Sequence, residues 1–368
     1  MKKRIFILII PLLIIIFLLL RCPGGKGKRI PVKIIPKPGP SPMSFKDFVA
    51  PKKVFRETKD YNVYLVRVDA SGGIMWEKIF REPDLEWGEF ITPVKGGGYL
   101  IAGKTYSKEG YDDGVYLLKA DSKGNSVWIK SFGGGPKTGA GQVAQTLDDG
   151  YIIAGKTYTD DREDYDVYMS KTDSEGNYDW IKTFGREYYD WGYRGIHAGD
   201  SGYITVSQTE NPFSGLSDMY IIKTGPKGHE EWSAVFGGED YDWAYSIARA
   251  GDSEFIITGF TYSFGSGNND IYTVKVDGKG NCVWAKTFGG AGYDDSYCIE
   301  AEKDGGFIIA GSTTTFGAGS YDAMLLKVDS NGNCVWVKTY GAAGEDAAYW
   351  VVPVKSGGYI FTGVTNSF

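Results

Sequence analysis

Beyond residue 60 the chain is written in short apolar and β-branched runs separated by clusters of Gly, Asp, Asn and Ser. Residues 293 to 340 are typical. Tyr293 to Ala301 is one run and Lys303-Asp304-Gly305-Gly306 a turn; Phe307 to Thr313 (FIIAGST) is the second run, followed by the glycine-rich stretch Phe316 to Ser320. Ala323 to Asp329 (AMLLKVD) is the third run, Ser330-Asn331-Gly332-Asn333 a tight turn, and Cys334 to Tyr340 (CVWVKTY) the fourth. Such runs, bounded by turn formers, predict antiparallel strands joined by hairpins.

The pattern recurs without insertion or deletion. Trp76, Trp128, Trp180, Trp232, Trp284 and Trp336 stand 52 residues apart, and the same step links Tyr99, Tyr151, Tyr203, Phe255, Phe307 and Tyr359. Six such units fill residues 57–368. Four strands per unit, repeated radially, predict an all-β fold: a six-bladed β-propeller of four-stranded antiparallel blades. With the first run of each unit innermost, the chain begins on runs three and four (Asn62 to Asp69, Ile74 to Phe80). It ends on runs one and two (Ala347 to Val354, Tyr359 to Thr365). One blade is therefore expected to be shared between N- and C-terminal strands, closing the ring and removing free sheet edges. A stacked solenoid needs atypical capping units, whereas the end units here are as regular as the middle ones.

The unit DGGYIIAGxT…DxYLxKxDxxGNxxWxKTFGG resembles the repeat of bacterial and archaeal exported propeller proteins, often lipoproteins, over residues 57–368. It is similar in element order to kelch and quinoprotein-type repeats. It departs from kelch by placing paired glycines before the second strand (Gly97-Gly98, Gly305-Gly306, Gly357-Gly358). The resemblance implies a fold and an exported location. Propellers serve as enzymes, adhesins and scaffolds alike, so it implies no chemistry.

Composition changes this picture in three ways. The net charge of −6, from 40 basic and 46 acidic residues with no basic block in the body of the chain, lacks the footprint of a nucleic-acid binder. Residues 1–22 read as a signal peptide or membrane anchor: Lys2, Lys3 and Arg4 precede the apolar run Ile5 to Leu20, which Pro11 interrupts. That run is short of the ~20 residues a bilayer span wants. Leu19-Leu20-Arg21-Cys22 resembles a bacterial lipoprotein cleavage site, with Arg21 where that pattern has a small residue, so Cys22 is the lipidation candidate. Residues 23–56, rich in Pro, Gly and Lys, read as a tether. The expected location is the cell envelope, periplasm or cell surface, with the membrane reached through the N-terminus and the propeller monomeric. Cys282 and Cys334 are equivalent positions on outermost strands and Cys298 lies on an innermost one. Separations beyond the roughly 7 Å that a disulfide tolerates are expected there, leaving free thiols.

Among candidate chemistries, the two histidines, His197 and His229, occupy different positions of the repeat, so no His-rich metal cluster or His-based triad is expected; either is a lone general base or, as the commoner case, an ordinary turn or strand residue, and no cofactor is expected. The third-strand series Arg67, Lys119, Lys171, Lys223, Lys275 and Lys327 reads as edge-blocking lysine neutralised by neighbouring acids, not as a cationic surface. The Asp-x-x-Gly turns at Asp69, Asp121, Asp173, Asp277 and Asp329 read as side-chain-to-backbone caps and lack the ligand run of a calcium loop.

The long connections, between runs two and three and from run four to the next unit, are expected on one face. Along the second set, acids recur at Glu86, Asp190, Asp242, Asp294 and Asp346, with Thr138 breaking the series. They are expected to ring the channel mouth among Trp87, Trp191, Trp243, Tyr293 and Trp350. Carboxylates beside aromatic faces suit sugar rings or a cationic peptide. The alternative is that the acids cap loops and the rings pack between blades. These residues point to a cell-envelope binding or scaffold protein using its loop face, with a glycan as the specific ligand class. A polysaccharide-acting lyase or glycosidase is the enzymatic alternative, and a structural adhesion or assembly component the third. Acid–base catalysis needs non-equivalent carboxyls of perturbed pKa, so the near-symmetry of the series favours binding.

Overall fold

The computed structural model describes residues 62–68, 74–81, 85–106, 113–132, 138–159, 163–186, 189–210, 215–354 and 357–366. Residues 1–22 with Cys22, and the 23–56 tether, lie outside the described residues. Twenty-four strands are present among the described residues, and no helix. Strand β1 (Val63–Val68) pairs with β2 (Ile74–Phe80), and β23 (Asp346–Pro353) with β24 (Tyr359–Thr365). Between them lie five antiparallel four-stranded sheets, each paired in chain order. They run from β3 (Leu85–Pro93) to β6 (Ser126–Phe132), from β7 (Gly139–Gln145) to β10 (Tyr178–Phe184), and from β11 (Asp190–His197) to β14 (Glu230–Phe236). The last two run from β15 (Asp242–Arg249) to β18 (Cys282–Phe288) and from β19 (Asp294–Ala301) to β22 (Cys334–Tyr340).

The core lies between sheets. Every residue of β16 (Phe255–Thr261), β17 (Asp270–Val276), β20 (Phe307–Thr313) and β21 (Asp322–Val328) is buried, while the outer strands β18 and β22 mix exposed and half-buried positions. A middle strand covered on both faces reads as a near-continuous apolar run, which is why FIIAGST and AMLLKVD lack alternation. Val206, Met219 and Ile221 of the third four-stranded sheet, for example, interdigitate with Ile247, Phe255 and Val274 of the fourth.

The repeating tryptophan ties a sheet to the next at Trp76, Trp128, Trp180, Trp232 and Trp284. Trp232 lies over the turn of the following sheet, where Gly280 holds φ at 81° and a Cβ would come within 2.7 Å of the indole. Its Nε1 donates to the carbonyl of Gly278 at 2.9 Å. Trp180 repeats the contact on Gly228, donating to Pro226 at 3.0 Å. Glycine is required there for both the dihedral and the close approach.

The third-strand lysines need a correction. That strand is not a sheet edge, and Lys171, Lys223, Lys275 and Lys327 are buried. Each ammonium reaches acids at the strand end: Lys171 pairs with Asp148 at 2.8 Å and Asp179 at 3.0 Å, and Lys223 with Glu231 at 2.8 Å and Asp200 at 3.0 Å. Neutralisation by neighbouring acids is present; edge protection is not their role. The turn aspartates do cap backbone. Asp121 Oδ1 accepts the amide N–H groups of Lys123 and Asn125, both at 2.8 Å, and Asp277 repeats this with Lys279 and Asn281. Hydrogen bonds from Asn125 and Asn281 hold these two carboxyls below the ordinary carboxylate range.

The thiols differ from expectation at one position. Cys282 and Cys298 are free, as expected, whereas Cys334 is not. The separation of blades excludes pairing among these three cysteines and no more than that.

The two chain ends form separate two-stranded sheets, with no ladder between β24 and β1. Each is attached to its sequence neighbour independently: Val63 and Leu65 pack on Tyr116 and Leu118, and Ala348 and Val351 pack on Cys298 and Leu325. Ile360 and Val364 of β24 are 64% and 52% exposed. At the hub, however, Phe90 of β3 meets Trp350 of β23 edge to face, with ring centroids 5.5 Å apart.

Candidate functional site at the hub mouth

The long loops meet on one face, as the bridges Asn269 to Tyr293 and Tyr321 to Glu345 demonstrate. Asp190, Asp242, Asp294 and Asp346 open the innermost strands there, and all four are buried. Each Oδ2 accepts the amide N–H four residues earlier, from Arg186 (2.6 Å), Gly238 (2.7 Å), Gly290 (3.0 Å) and Ala342 (3.2 Å). Asp294 also accepts from the hydroxyls of Thr313 and Thr315, and Asp242 from Ser263. Where the acid is replaced, Thr138 Oγ1 lies 2.7 Å from Thr157 Oγ1. These side chains turn into the loops and organise them. The side chains of Glu86 and Trp87 lie outside the described residues.

A second acidic series went unread in the sequence although it has the same step: Asp166, Asp218, Asp270 and Asp322. Gly185, Gly237, Gly289 and Gly341 each sit where a Cβ would strike one carboxylate of either series, so the two acids face each other across a glycine. Burial first, and the charge of the facing aspartate after it, lift Asp190, Asp218 and Asp270 to about 6.

Each innermost strand shifts register once, between Gly192 and Arg194, Ala244 and Ser246, Ser296 and Cys298, and Ala348 and Trp350 in the last four. The extra residue is a tyrosine each time, and a bulge re-aims the side chain it carries. Tyr193, Tyr245, Tyr297 and Tyr349 thus form an arc, with successive centroids 5.4, 5.8 and 5.2 Å apart. The equivalent bulges carry Glu89 and Gly141 in the other two units. Burial raises the phenol of Tyr297 to about 12, and raises Tyr193 and Tyr245 as well.

The residue after the bulge in β11 reaches across its neighbours. Arg194 donates to Ser246 Oγ at 2.7 Å and to Glu300 at 3.0 Å, and its guanidinium lies 4.7 Å from the ring centre of Trp350. Trp350, expected at the mouth, is part of this contact. Burial pushes the neighbouring Cys298 thiol up to about 11.

Trp191 and Trp243 are half-buried. The Lys156 ammonium stands 4.1 Å from the Trp191 ring, and Trp243 packs on Phe260 at 5.3 Å and Tyr245 at 6.3 Å. The Nε1 atoms of both are buried without a hydrogen-bond partner, so each indole is covered at its polar edge. Trp243→Ala is accordingly expected to cost about 3 kcal/mol of folding stability. Thermal melts check this, and a loss below about 1 kcal/mol would assign the ring to ligand instead.

Asp295 occupies the position of Trp191 and Trp243 in the next unit. It is half-buried and accepts a hydrogen bond from Asn269 Nδ2 at 2.6 Å. Burial raises its pKa, with a smaller contribution from the charge of Asp294. Its charge reaches the phenols of Tyr245, Tyr262, Tyr297 and Tyr321. Tyr293, 39% exposed, faces Tyr321 with centroids 6.5 Å apart. Reading by recurrence passes over Asp295, because it breaks its series; its own signal was an acid where two other units have tryptophan.

The fold is that of a β-propeller. Sqt1 from Chaetomium thermophilum is similar over 82% of this chain and 75% of that one, with a TM-score of 0.50 at 11% identity, a likeness of fold alone. The Neurospora crassa Pan2 WD40 domain is similar with a TM-score of 0.46 at 8% identity, over 75% of this chain and 86% of that domain. A gluconolactonase from Xanthomonas campestris follows at 0.40 and 10%, over 76% and 96%. No family model matches the chain. Among curated proteins, the regulatory protein FlaEY of Caulobacter vibrioides is 23% identical over 166 residues, which take in 38% of this chain. The match spans 17% of that protein's length.

Proposed function

We propose that this chain is a non-enzymatic binding module of the cell envelope, tethered through its N-terminus, that takes a glycan on the loop face of a six-bladed ring closed by strands from both chain ends. The observation that carries the binding reading is a contrast within the repeat. Positions that build the fold are alike from unit to unit, whereas the position after the loop-capping acid reads Trp87, Gly139, Trp191, Trp243, Asp295, Ala347. The bulge reads Glu89, Gly141, Tyr193, Tyr245, Tyr297, Tyr349. A layer released from the symmetry of the fold, and rich in phenol faces and hydroxyls, suits one asymmetric ligand with both apolar faces and polar edges. Contact between Phe90 and Trp350 supports closure at the hub. Glycoside hydrolysis needs two carboxyl groups flanking one bond; Asp294 is spent on its loop and Asp295 stands among phenols, which supports binding over catalysis.

The test is a glycan array probed with the full chain and with Tyr349→Ala, whose ring is 46% exposed. Truncating a stacked aromatic commonly costs ~2 kcal/mol of binding, so the variant is expected to lose about thirtyfold in affinity with an unchanged melt. A blank array, or equal binding by the variant, removes the glycan reading. Release of Cys22→Ser from the membrane fraction checks the tether separately; unchanged fractionation removes lipidation at that residue.

A further inference from the structure

Asp295 is a half-buried carboxylate for which the described residues supply no cation, since Asn269 is its hydrogen-bond donor and Asp294 its nearest charge. A buried charge is costly unless it is paired. Beside it, Asn269 Oδ1 is buried and has no hydrogen-bond partner. Asn269 itself is 2% exposed and is fixed by its backbone bridge to Tyr293, so its amide is held against the carboxylate. The amide that donates to Asp295 thus leaves its own oxygen, close by, short of a donor. Phenol rings surround them: Tyr245 and Tyr297 belong to the arc, while Tyr262 and Tyr293 are 41% and 39% exposed and leave the group open to solvent. Electron-rich ring faces around a carboxylate attract a cation, and an acceptor pair asks for one that carries N–H donors.

We propose that this sector of the loop face is a binding site for an alkylammonium group, with Asp295 as counter-ion, Asn269 Oδ1 as second acceptor, and Tyr262, Tyr293 and Tyr321 as its aromatic walls. The site deepens the loop-face reading, on which it rests, by naming the charge of the ligand. Equivalent positions carry Trp191, Trp243 and Ala347, so the six-fold repeat supplies one such site among the described residues. An ammonium entering here meets a preformed acceptor pair. Tetramethylammonium, with no N–H, leaves Asn269 Oδ1 unpaired and is expected to bind more weakly.

Isothermal titration of the full chain with n-butylammonium chloride, against the neutral 1-butanol and against tetramethylammonium, tests the site. Butylammonium is expected to bind at least tenfold more tightly than either. Asp295→Asn is expected to abolish the preference over butanol, and Tyr262→Leu, at an exposed ring, to weaken butylammonium severalfold. Glucosamine against glucose, and Nα-acetyl-lysinamide against its Nε-acetylated form, then distinguish an amino sugar from a lysine side chain as the source. Equal affinity for butylammonium and butanol overturns the proposal, as does an Asp295→Asn protein that keeps the preference. If that variant does not fold, an unchanged affinity in Tyr262→Leu overturns it equally. The glycan array separates the two readings: glycans bound without ammonium preference remove this site alone, and a blank array with butylammonium bound removes only the glycan.

Discussion

Deletion of residues 347–368 is expected to abolish cooperative folding of the whole set of sheets rather than to fray one edge. The deletion removes β23, whose Ala348 and Val351 are fully buried against Cys298, Ile308 and Leu325. It also removes Trp350, which covers the Arg194 guanidinium and meets Phe90 from the other end of the chain. Trp350 is half-buried, so its loss alone costs about 3 kcal/mol, the low end for a large aromatic. Arg194 would then keep Ser246 and Glu300 but face a hole in place of the indole, and a whole sheet face of the last unit would be wet. Several such losses together exceed the roughly 5–15 kcal/mol margin of a folded domain. Circular-dichroism melts and hydrogen exchange of the truncated chain check the outcome. A sharp transition at an undiminished temperature, with protection retained in β3 and β19, contradicts a hub shared by both chain ends.

Stability is expected to rise as the pH is lowered from 7.5 to about 5, the reverse of ordinary acid behaviour. Asp190 and Asp270 are essentially inaccessible, and their carboxyls titrate near 6 in the folded chain against 3.8 for an ordinary aspartate. Between those values the folded state holds protons that the unfolded state has released, so the free energy of unfolding falls as pH rises through this window. Each tenfold gain in proton affinity is worth about 1.4 kcal/mol, so between pH 7.5 and 5 the change is roughly 1–1.5 kcal/mol for each of these two groups. His197, half-buried and lowered by burial, opposes the trend in the same window. Below about pH 4 the sign reverses, because Asp121 and Asp277 have depressed pKa values and lose their turn-capping stabilisation on protonation. The melting temperature is therefore expected to peak near pH 5, several degrees above its value at pH 7.5, at ~2–4 °C per kcal/mol for a chain of this size class. Asp270→Asn carries no charge at any pH; it is expected to melt higher than the parent at pH 7.5 and to flatten the profile. A melting temperature that falls steadily from pH 7.5 to 5, or an Asp270→Asn protein less stable at pH 7.5, contradicts the assignment.

The placement of strands was legible in the sequence because its determinants are local. Phe307–Thr313 and Cys334–Tyr340 are strands with the bounds their turn formers set, and the 52-residue step orders strands by fours into five of the sheets. The capping role of Asp121 and Asp277 was legible for the same reason, since their partners lie two and four residues away. What the tertiary structure decided is where side chains point. Recurrence marks Asp190, Asp242, Asp294 and Asp346 as important, but the loop amides that claim their oxygens draw them inward from the mouth. A single extra residue in each of the last four innermost strands puts tyrosine in the arc, and in β23 turns Trp350 toward Arg194 and Phe90, because side chains alternate faces and a bulge resets the alternation. Lys171 and Lys223 became interior residues once the third strand was covered by neighbouring sheets, a fact of packing between units that no single unit contains. Asp295 acquired its surroundings from residues of two units, so its character as an acceptor exists only where the loops of neighbouring units meet.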